Sequence, residues 1–372
     1  MKREERLQKA IEQVILDNYA VHDTCEKIQK RIATAKNVCI YGVGNFYHDY
    51  QSSIPNYKYV CDKNPDLIGK TFHGKPCISV EELQKIDDVV VLVMVGNYQP
   101  ICQMLTEKNI ENYYFGDYFL KIYDTKYDAT WFRNQEEKIL SGIECWKDEK
   151  SKDIYVDIIC NRIAPMFSQQ TFHEMEESGE YYETGLLPWT KEECFVDAGA
   201  YDGDSILKFI EVQNHEFQKI YGFEFDTNNY NKILKNQEII TDERIQLFPY
   251  GVSDKMETVA MVSDKEGSHA IGQGEKTAKL VALDDVLKGE KVTFIKMDVE
   301  GAEMKALYGA KNILKEHQPK LAISVYHKLS DLWEVPLFLK EINPLYELYL
   351  RHHTAIVWDT DCYAVSESTL RK

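Results

Sequence analysis

The chain has 372 residues, 44% of them hydrophobic, and a formal net charge of −17 from 44 basic and 61 acidic side chains. It is too apolar to stay disordered, and its length suggests more than one folding unit. The acidic balance excludes a protein that works mainly by coating phosphate backbones or anionic lipid, so neither nucleic acid nor a membrane surface is the expected partner.

In chain order, residues 1–35 carry Leu7, Ile11, Val14, Ile15 and Tyr19 at helical spacing, which predicts one amphipathic N-terminal helix. The charged opening Met1-Lys-Arg-Glu-Glu-Arg6 precedes no apolar signal core. Residues 36–120 then alternate short apolar runs with polar helical segments. Predicted strands fall at 37–41, 58–61, 89–95 and 113–115, a pattern of a small parallel sheet. The longest of these runs, Val89 to Val95, is far short of the ~20 residues of a membrane helix and reads as a buried strand.

Residues 121–190 read as a helical connector, with helices near 133–145 and 153–164. Its aromatics Trp131, Trp146, Tyr181, Tyr182 and Trp189 need something to pack on. From 191 to 372 the alternation resumes. Strands are predicted at 194–198, 219–225, 245–252, 292–297, 320–326, 346–351 and from 355 toward 363, with helices at 204–214, 227–239, 303–316 and 331–341. The last two strands are separated by a short turn and predict an antiparallel hairpin at the sheet edge. The fold class is α/β with two doubly wound sheets. The nine cysteines are odd in number, lack C-x-x-C spacing and in several cases lie within apolar strands, so reduced, buried thiols and a cytoplasmic location are expected.

In a doubly wound sheet the ligand sits beyond the carboxyl ends of the central strands. The turn Asp197-Ala198-Gly199-Ala200-Tyr201-Asp202-Gly203 occupies that place. Its glycines allow positive φ and close backbone approach. It lacks a full G-x-G-x-x-G, and an acid before the first glycine opposes pyrophosphate and suits a cationic ligand. Glu224 ends the next strand about twenty residues on, where a carboxylate can accept both ribose hydroxyls of an adenosine ligand. Together these acids fit an adenosine that carries a sulfonium and an amino acid in place of pyrophosphate. Downstream, Asp298, Glu300 and Glu303 crowd the end of another central strand, an arrangement that is costly unless the acids meet cations, donors or a proton. Glu300 and Glu303 can alternatively complement the positive end of the helix that follows.

Six motifs occur in order over about residues 190–366: F-V-D-A-G-A-Y-D-G-D, Y-G-F-E-F-D, L-D-D, I-K-M-D-V-E-G-A-E, L-A-I-S-V-Y-H-K-x-x-D-L-W and Y-L-R-H-H-T. In this set the chain resembles the FkbM-type methyltransferases. The resemblance implies a seven-stranded class I methyltransferase domain with an antiparallel edge strand. It also implies S-adenosylmethionine as cofactor and transfer of its methyl to a hydroxyl, often on a sugar, glycan or related small molecule. Cofactor contacts are expected from Asp197, Gly199, Ala200, Tyr201, Asp202, Gly203, Glu224 and Asp298. The chain departs from the family at Ala200-Tyr201, where an asparagine commonly follows.

Methyl transfer to an alcohol needs the acceptor aligned and its proton removed. His327 follows a predicted strand and should share the sheet edge with Asp298, and an imidazole of ordinary pKa near ~6.5 serves as base at neutral pH. Catalysis is therefore expected from His327, Asp298 and Glu300. The same three could hold a divalent metal that acidifies the acceptor, but no tight ligand spacing demands one, and no metal ligand is assigned.

In the N-terminal unit, Gly42-Val43-Gly44 follows the first strand and Asp62 ends the second. That pattern resembles the small Rossmann-like domains preceding some sugar acyltransferases and nucleotide-sugar enzymes, and it implies either a nucleotide-sugar at Gly42, Gly44 and Asp62 or a packing or homo-oligomerising role. An NAD(P)-dependent oxidoreductase using the same turn is a different enzyme class, opposed by the missing third glycine and the absence of a Tyr-x-x-x-Lys set. A binding scaffold without turnover is the non-enzymatic alternative.

Overall fold

The computed structural model describes residues 1–17, 21–116, 127–182, 185–263, 268–269 and 276–366. Tyr19 and the junction at 120/121 lie outside this set.

Where one helix is predicted over 1–35, two form, and they serve different cores. Helix Arg3–Asp17 buries Leu7, Ala10, Ile11 and Val14 in the large C-terminal core. Its Arg6 pairs with Asp157 at 2.6 Å with both side chains buried. Helix Val21–Thr34 instead packs Ile28 and Ile32 against the N-terminal sheet.

That sheet contains β1 (Asn37–Tyr41), β2 (Tyr57–Cys61), β3 (Thr71–Phe72), β4 (Lys75–Ile78), β5 (Val89–Val93) and β6 (Glu111–Tyr114), in the order β3-β4-β2-β1-β5-β6. All neighbours are parallel except β3 and β4. β1 is buried at every position because helices cover both faces, which is why it reads as an unbroken apolar run. The β3–β4 hairpin is absent from the predicted elements. Its two-residue turn has His73 and Gly74 both at positive φ, the conformation that matches the twist of a hairpin.

The C-terminal part contributes β7 (Cys194–Ala198), β8 (Lys219–Phe223), β9 (Ile245–Phe248), β10 (Gly251–Val252), β11 (Glu257–Ser263), β12 (Ser268–His269), β13 (Lys276–Val281), β14 (Phe294–Met297), β15 (Lys320–Ser324), β16 (Tyr346–His352) and β17 (Thr360–Ser366). The seven-stranded sheet runs β16-β17-β15-β14-β7-β8-β9, and β10 to β13 form a separate small sheet. The run predicted as one strand over 245–252 thus splits between two sheets. The hairpin expected from the last two strands is present, but β17 inserts between β15 and β16 and is antiparallel to both. The antiparallel strand therefore lies one place inside the edge. The outer side of β16 is covered in turn by the 121–190 segment, where Lys147 N donates to Leu348 O at 2.8 Å and Ser151 Oγ accepts from Leu350 N at 2.9 Å. That segment is part of the C-terminal unit, with helices Ala129–Gly142 and Glu149–Ile163 in its core.

The two sheets meet through the loop 353–359 between β16 and β17. Ile356 is buried in the N-terminal core, and the Trp358 ring lies 5.3 Å from Tyr50 and 6.1 Å from Phe115. None of the nine cysteines is joined in a disulfide, and all but Cys102 are buried. Among the described residues no helix is long and apolar enough to cross a membrane.

Candidate functional site

Chain order reverses at β7, so the ligand crevice of this sheet opens at the adjoining carboxyl ends of β7 and β14. The turn after β7 holds Gly199 at φ +88, Tyr201 at φ +48 and Gly203 at φ +93. Gly199 N and Ala200 N donate to Phe223 O, locking the turn to the end of β8. A β-carbon on Gly199 would overlap the Asp298 carbonyl oxygen, so β7 and β14 converge there only because the residue is glycine. Gly203 opens helix Asp204–Val212. Ala200 is buried, Asp202 half-buried and Tyr201 exposed, with Lys232 Nζ 4.8 Å above its ring.

Asp197 does not face the crevice. It is fully buried, Ser205 Oγ donates to its Oδ2 at 2.5 Å, and Lys296 Nζ lies 3.2 Å from its Oδ1. The β7–β14 register sets Lys296 directly beside it. Burial works against the Lys296 ammonium, but Asp197 and Asp298 outweigh it and hold its pKa above the ordinary value. The same ammonium donates to Gly199 O at 2.6 Å. The expectation that Asp197 meets a cationic ligand is thus corrected: its cation comes from the protein, and the pair holds the turn.

Glu224 follows β8 and is 7% exposed. Its Oε2 accepts from Tyr201 N at 2.9 Å and its Oε1 from Asp226 N at 2.6 Å. Burial pushes this carboxyl up to about 7, against the pull of the two backbone donors. Each oxygen keeps a free lone pair for a further donor.

Across the crevice, Asp298 follows β14, and its Oδ2 accepts from Tyr181 OH at 2.8 Å and Tyr326 OH at 3.4 Å. Glu300 is held at φ +54, a strained conformation for this residue. His327, 5% exposed, places Nε2 3.5 Å from both Asp298 Oδ1 and Glu300 Oε2, and Nδ1 2.9 Å from Glu303 Oε1. The sequence-predicted trio is therefore assembled, with Glu303 added. Glu303 is itself anchored by Val299 N and Gly301 N. Burial disfavours a charged imidazole here, yet Glu303, Glu300 and Asp298 outweigh it and hold His327 well above its ordinary value of 6.5. That upward shift weighs against the expected role of His327 as a base titrating near neutrality, because a proton held by three carboxylates leaves the ring without a lone pair to accept another. Asp298, Glu303 and His327 each offer a ligand atom within 4.8 Å of the others.

Sequence reasoning missed several members of the site. Lys296 carried a signal, since a lysine inside a fully buried four-residue strand requires a counterion. Tyr181, in a Glu-rich stretch, carried none. In the N-terminal sheet, the predicted turn and acid do meet: Gly42 has φ +104, Asp62 Oδ2 accepts from Val43 N at 3.0 Å, and Gly44 precedes helix Asn45–Tyr50.

The sheet order, the strand inserted next to the edge and the crevice at β7 and β14 define a class I methyltransferase-like fold. Residues 197–352 match the family model described as methyltransferase FkbM domain. The crystal structure of a methyltransferase FkbM from Methylobacillus flagellatus KT is similar over 98% of this chain and 99% of its own, at 24% identity and a TM-score of 0.69, and so shares the fold along nearly the whole length. An rRNA methylase from Streptococcus thermophilus matches 49% of this chain and 89% of its own (15% identity, TM-score 0.33). A methyltransferase from Streptococcus mutans in complex with SAH matches 49% and 93% (15% identity, TM-score 0.32). No curated protein sequence matches.

Proposed function

We propose that the protein is an S-adenosylmethionine-dependent methyltransferase acting on a hydroxyl of a sugar, glycan or related small molecule. The observation that carries this reading is Glu224: a buried carboxylate at the tip of β8, tied to the glycine turn, with one lone pair on each oxygen left for a pair of ribose hydroxyls. The residues present fit such a cofactor. The glycine turn gives close backbone approach, and the acids around it disfavour the pyrophosphate of a dinucleotide.

When bound, S-adenosylmethionine supplies an electrophilic methyl, whose C–S electron pair stays on sulfur as the acceptor oxygen forms the new C–O bond. Asp298 Oδ1 is the atom suited to take the hydroxyl proton. It is buried, accepts no hydrogen bond among the described residues although His327 Nε2 stands 3.5 Å away, and lies at the crevice end of β14. Burial, opposed by His327 and Lys296, raises its pKa, which makes it a stronger base than an ordinary aspartate. Tyr181 and Tyr326 fix its other oxygen, and the His327 imidazolium offsets the charge of Glu300 and Glu303. In the N-terminal sheet, the order β4-β2-β1-β5-β6 supports a Rossmann-like reading of that domain.

Calorimetric titration with S-adenosylmethionine and S-adenosylhomocysteine tests the cofactor. Binding that Glu224→Ala weakens by about tenfold or more is expected, and no binding by the wild-type chain refutes the assignment. At saturating S-adenosylmethionine, Asp298→Asn should cut methyl transfer to a panel of sugar acceptors by about 10²-fold or more.

A further inference from the structure

The geometry points to the N-terminal domain as the seat of the 353–359 loop, an anchor that positions the acceptor side of the methyltransferase crevice and crowds the β5 side of the domain's own ligand crevice. A doubly wound sheet takes its ligand outside the strand ends where the chain order reverses. In the N-terminal sheet that place lies between β1 and β5, at Gly42–Gly44 and Met94–Gly96. A β-carbon on Gly96 would come within 2.5 Å of the Ala355 β-carbon, so the loop from the other sheet sits directly on the β5 exit. Ile356 is 1% exposed within the same core as Ile40, Leu92 and Met94, and Trp358 packs on Tyr50 and Phe115. Apolar protein thus meets the β5 side of the crevice for which a nucleotide-sugar was one of two readings, while a β-carbon on Gly44 would meet nothing within 4 Å.

The loop is built to hold its shape. His353 N donates to Asp359 O at 2.8 Å and Thr354 Oγ1 to Trp358 O at 2.9 Å, closing it across its own base. It leads straight into the site. In β17, Asp361 is fully buried, accepts from Ser324 Oγ at 3.3 Å and from Tyr181 N at 3.4 Å, while the Tyr181 hydroxyl reaches Asp298 at 2.8 Å. His353 completes the frame through Tyr363 OH at 3.0 Å and the Glu177 carbonyl at 2.9 Å. A short run of contacts therefore joins the β5 exit to the carboxylate proposed to receive the acceptor's proton. The anchoring follows from the contacts alone; its bearing on the acceptor rests on the methyl-transfer reading.

Hydrogen exchange on the full-length protein tests it. In Trp358→Ala, amides of 353–359 and of Tyr181 should exchange at least about tenfold faster, while S-adenosylhomocysteine affinity stays within about twofold of wild type. Gly96→Val, which displaces Ala355 from the other side, should give the same pattern. Wild-type protein titrated with NAD⁺ and with UDP-glucose should show neither binding heat nor new protection at 42–44. Unchanged loop exchange in both variants overturns the proposal. So does binding of either nucleotide with protection at 42–44, a result that needs no variant to fold. Loss of S-adenosylhomocysteine binding by wild type would instead refute the cofactor assignment and leave the anchor standing.

Discussion

The Glu224 carboxyl makes the cofactor assignment quantitative. Ribose hydroxyls donate to the ionised carboxylate, so affinity should follow the ionised fraction. With a pKa of about 7 in the free protein, roughly nine-tenths of the groups are ionised at pH 8 and roughly one-tenth at pH 6. The apparent affinity for S-adenosylhomocysteine should then fall about tenfold from pH 8 to pH 6, near 1.4 kcal/mol. The assay is calorimetry at constant ionic strength on wild type and Glu224→Gln. Any titration of the ligand's own amino acid appears in both proteins and cancels in their ratio. The amide of the Glu224→Gln variant keeps one acceptor for Tyr201 N or Asp226 N but cannot titrate, so its profile should be weaker throughout and flat relative to wild type. A wild-type affinity that stays constant between pH 6 and 8, or a ratio independent of pH, refutes the role given to Glu224.

Lys296→Met leaves the fully buried Asp197 without its cation, and unfolding by urea should show a loss of about 3–5 kcal/mol; a loss below about 1 kcal/mol means the pair does not hold the turn. Gly199→Ala forces a β-carbon onto the Asp298 carbonyl at a φ that only glycine adopts readily, and should reduce S-adenosylhomocysteine affinity by about tenfold or more as the two strand ends part. His327 binds its proton far more tightly folded than unfolded, so the folded state holds the extra proton above pH 6.5. Stability from this source is complete below that pH and declines by about 1.4 kcal/mol per pH unit as pH rises toward the folded value. Wild-type unfolding free energy measured from pH 6.5 to 8.5 should show this decline and His327→Gln should lack it; parallel profiles would mean that His327 is neutral in the fold.

Buried strands such as β1, β5, β7 and β15 were legible because parallel strands covered on both faces leave continuous apolar runs. The glycine turn and the acid at the end of β8 were legible through their spacing. The β3–β4 hairpin was not, since its two short strands carry too few residues for any periodicity. The site was only half visible for a different reason. Sequence shows which residues ionise but not what they face: Asp197 looked like a ligand group until the strand register set Lys296 beside it, and His327 looked like a base until Glu303 turned back from its helix onto the imidazole. Electrostatic roles are set by partners from remote segments. The one signal left unused was Lys296 itself, a charge in the middle of a buried strand.

Helix Arg3–Asp17 belongs with residues that follow it by more than a hundred positions, through Arg6 and Asp157 and the apolar seam around Leu7, Ile11 and Val14. The entire N-terminal sheet is thus spliced between two parts of one core. During synthesis that sheet can close on itself as soon as β6 emerges, while the first helix waits with its apolar face uncovered until its partners at 129–163 are made. The first few turns of the chain find their place only after a whole sheet has been made behind them.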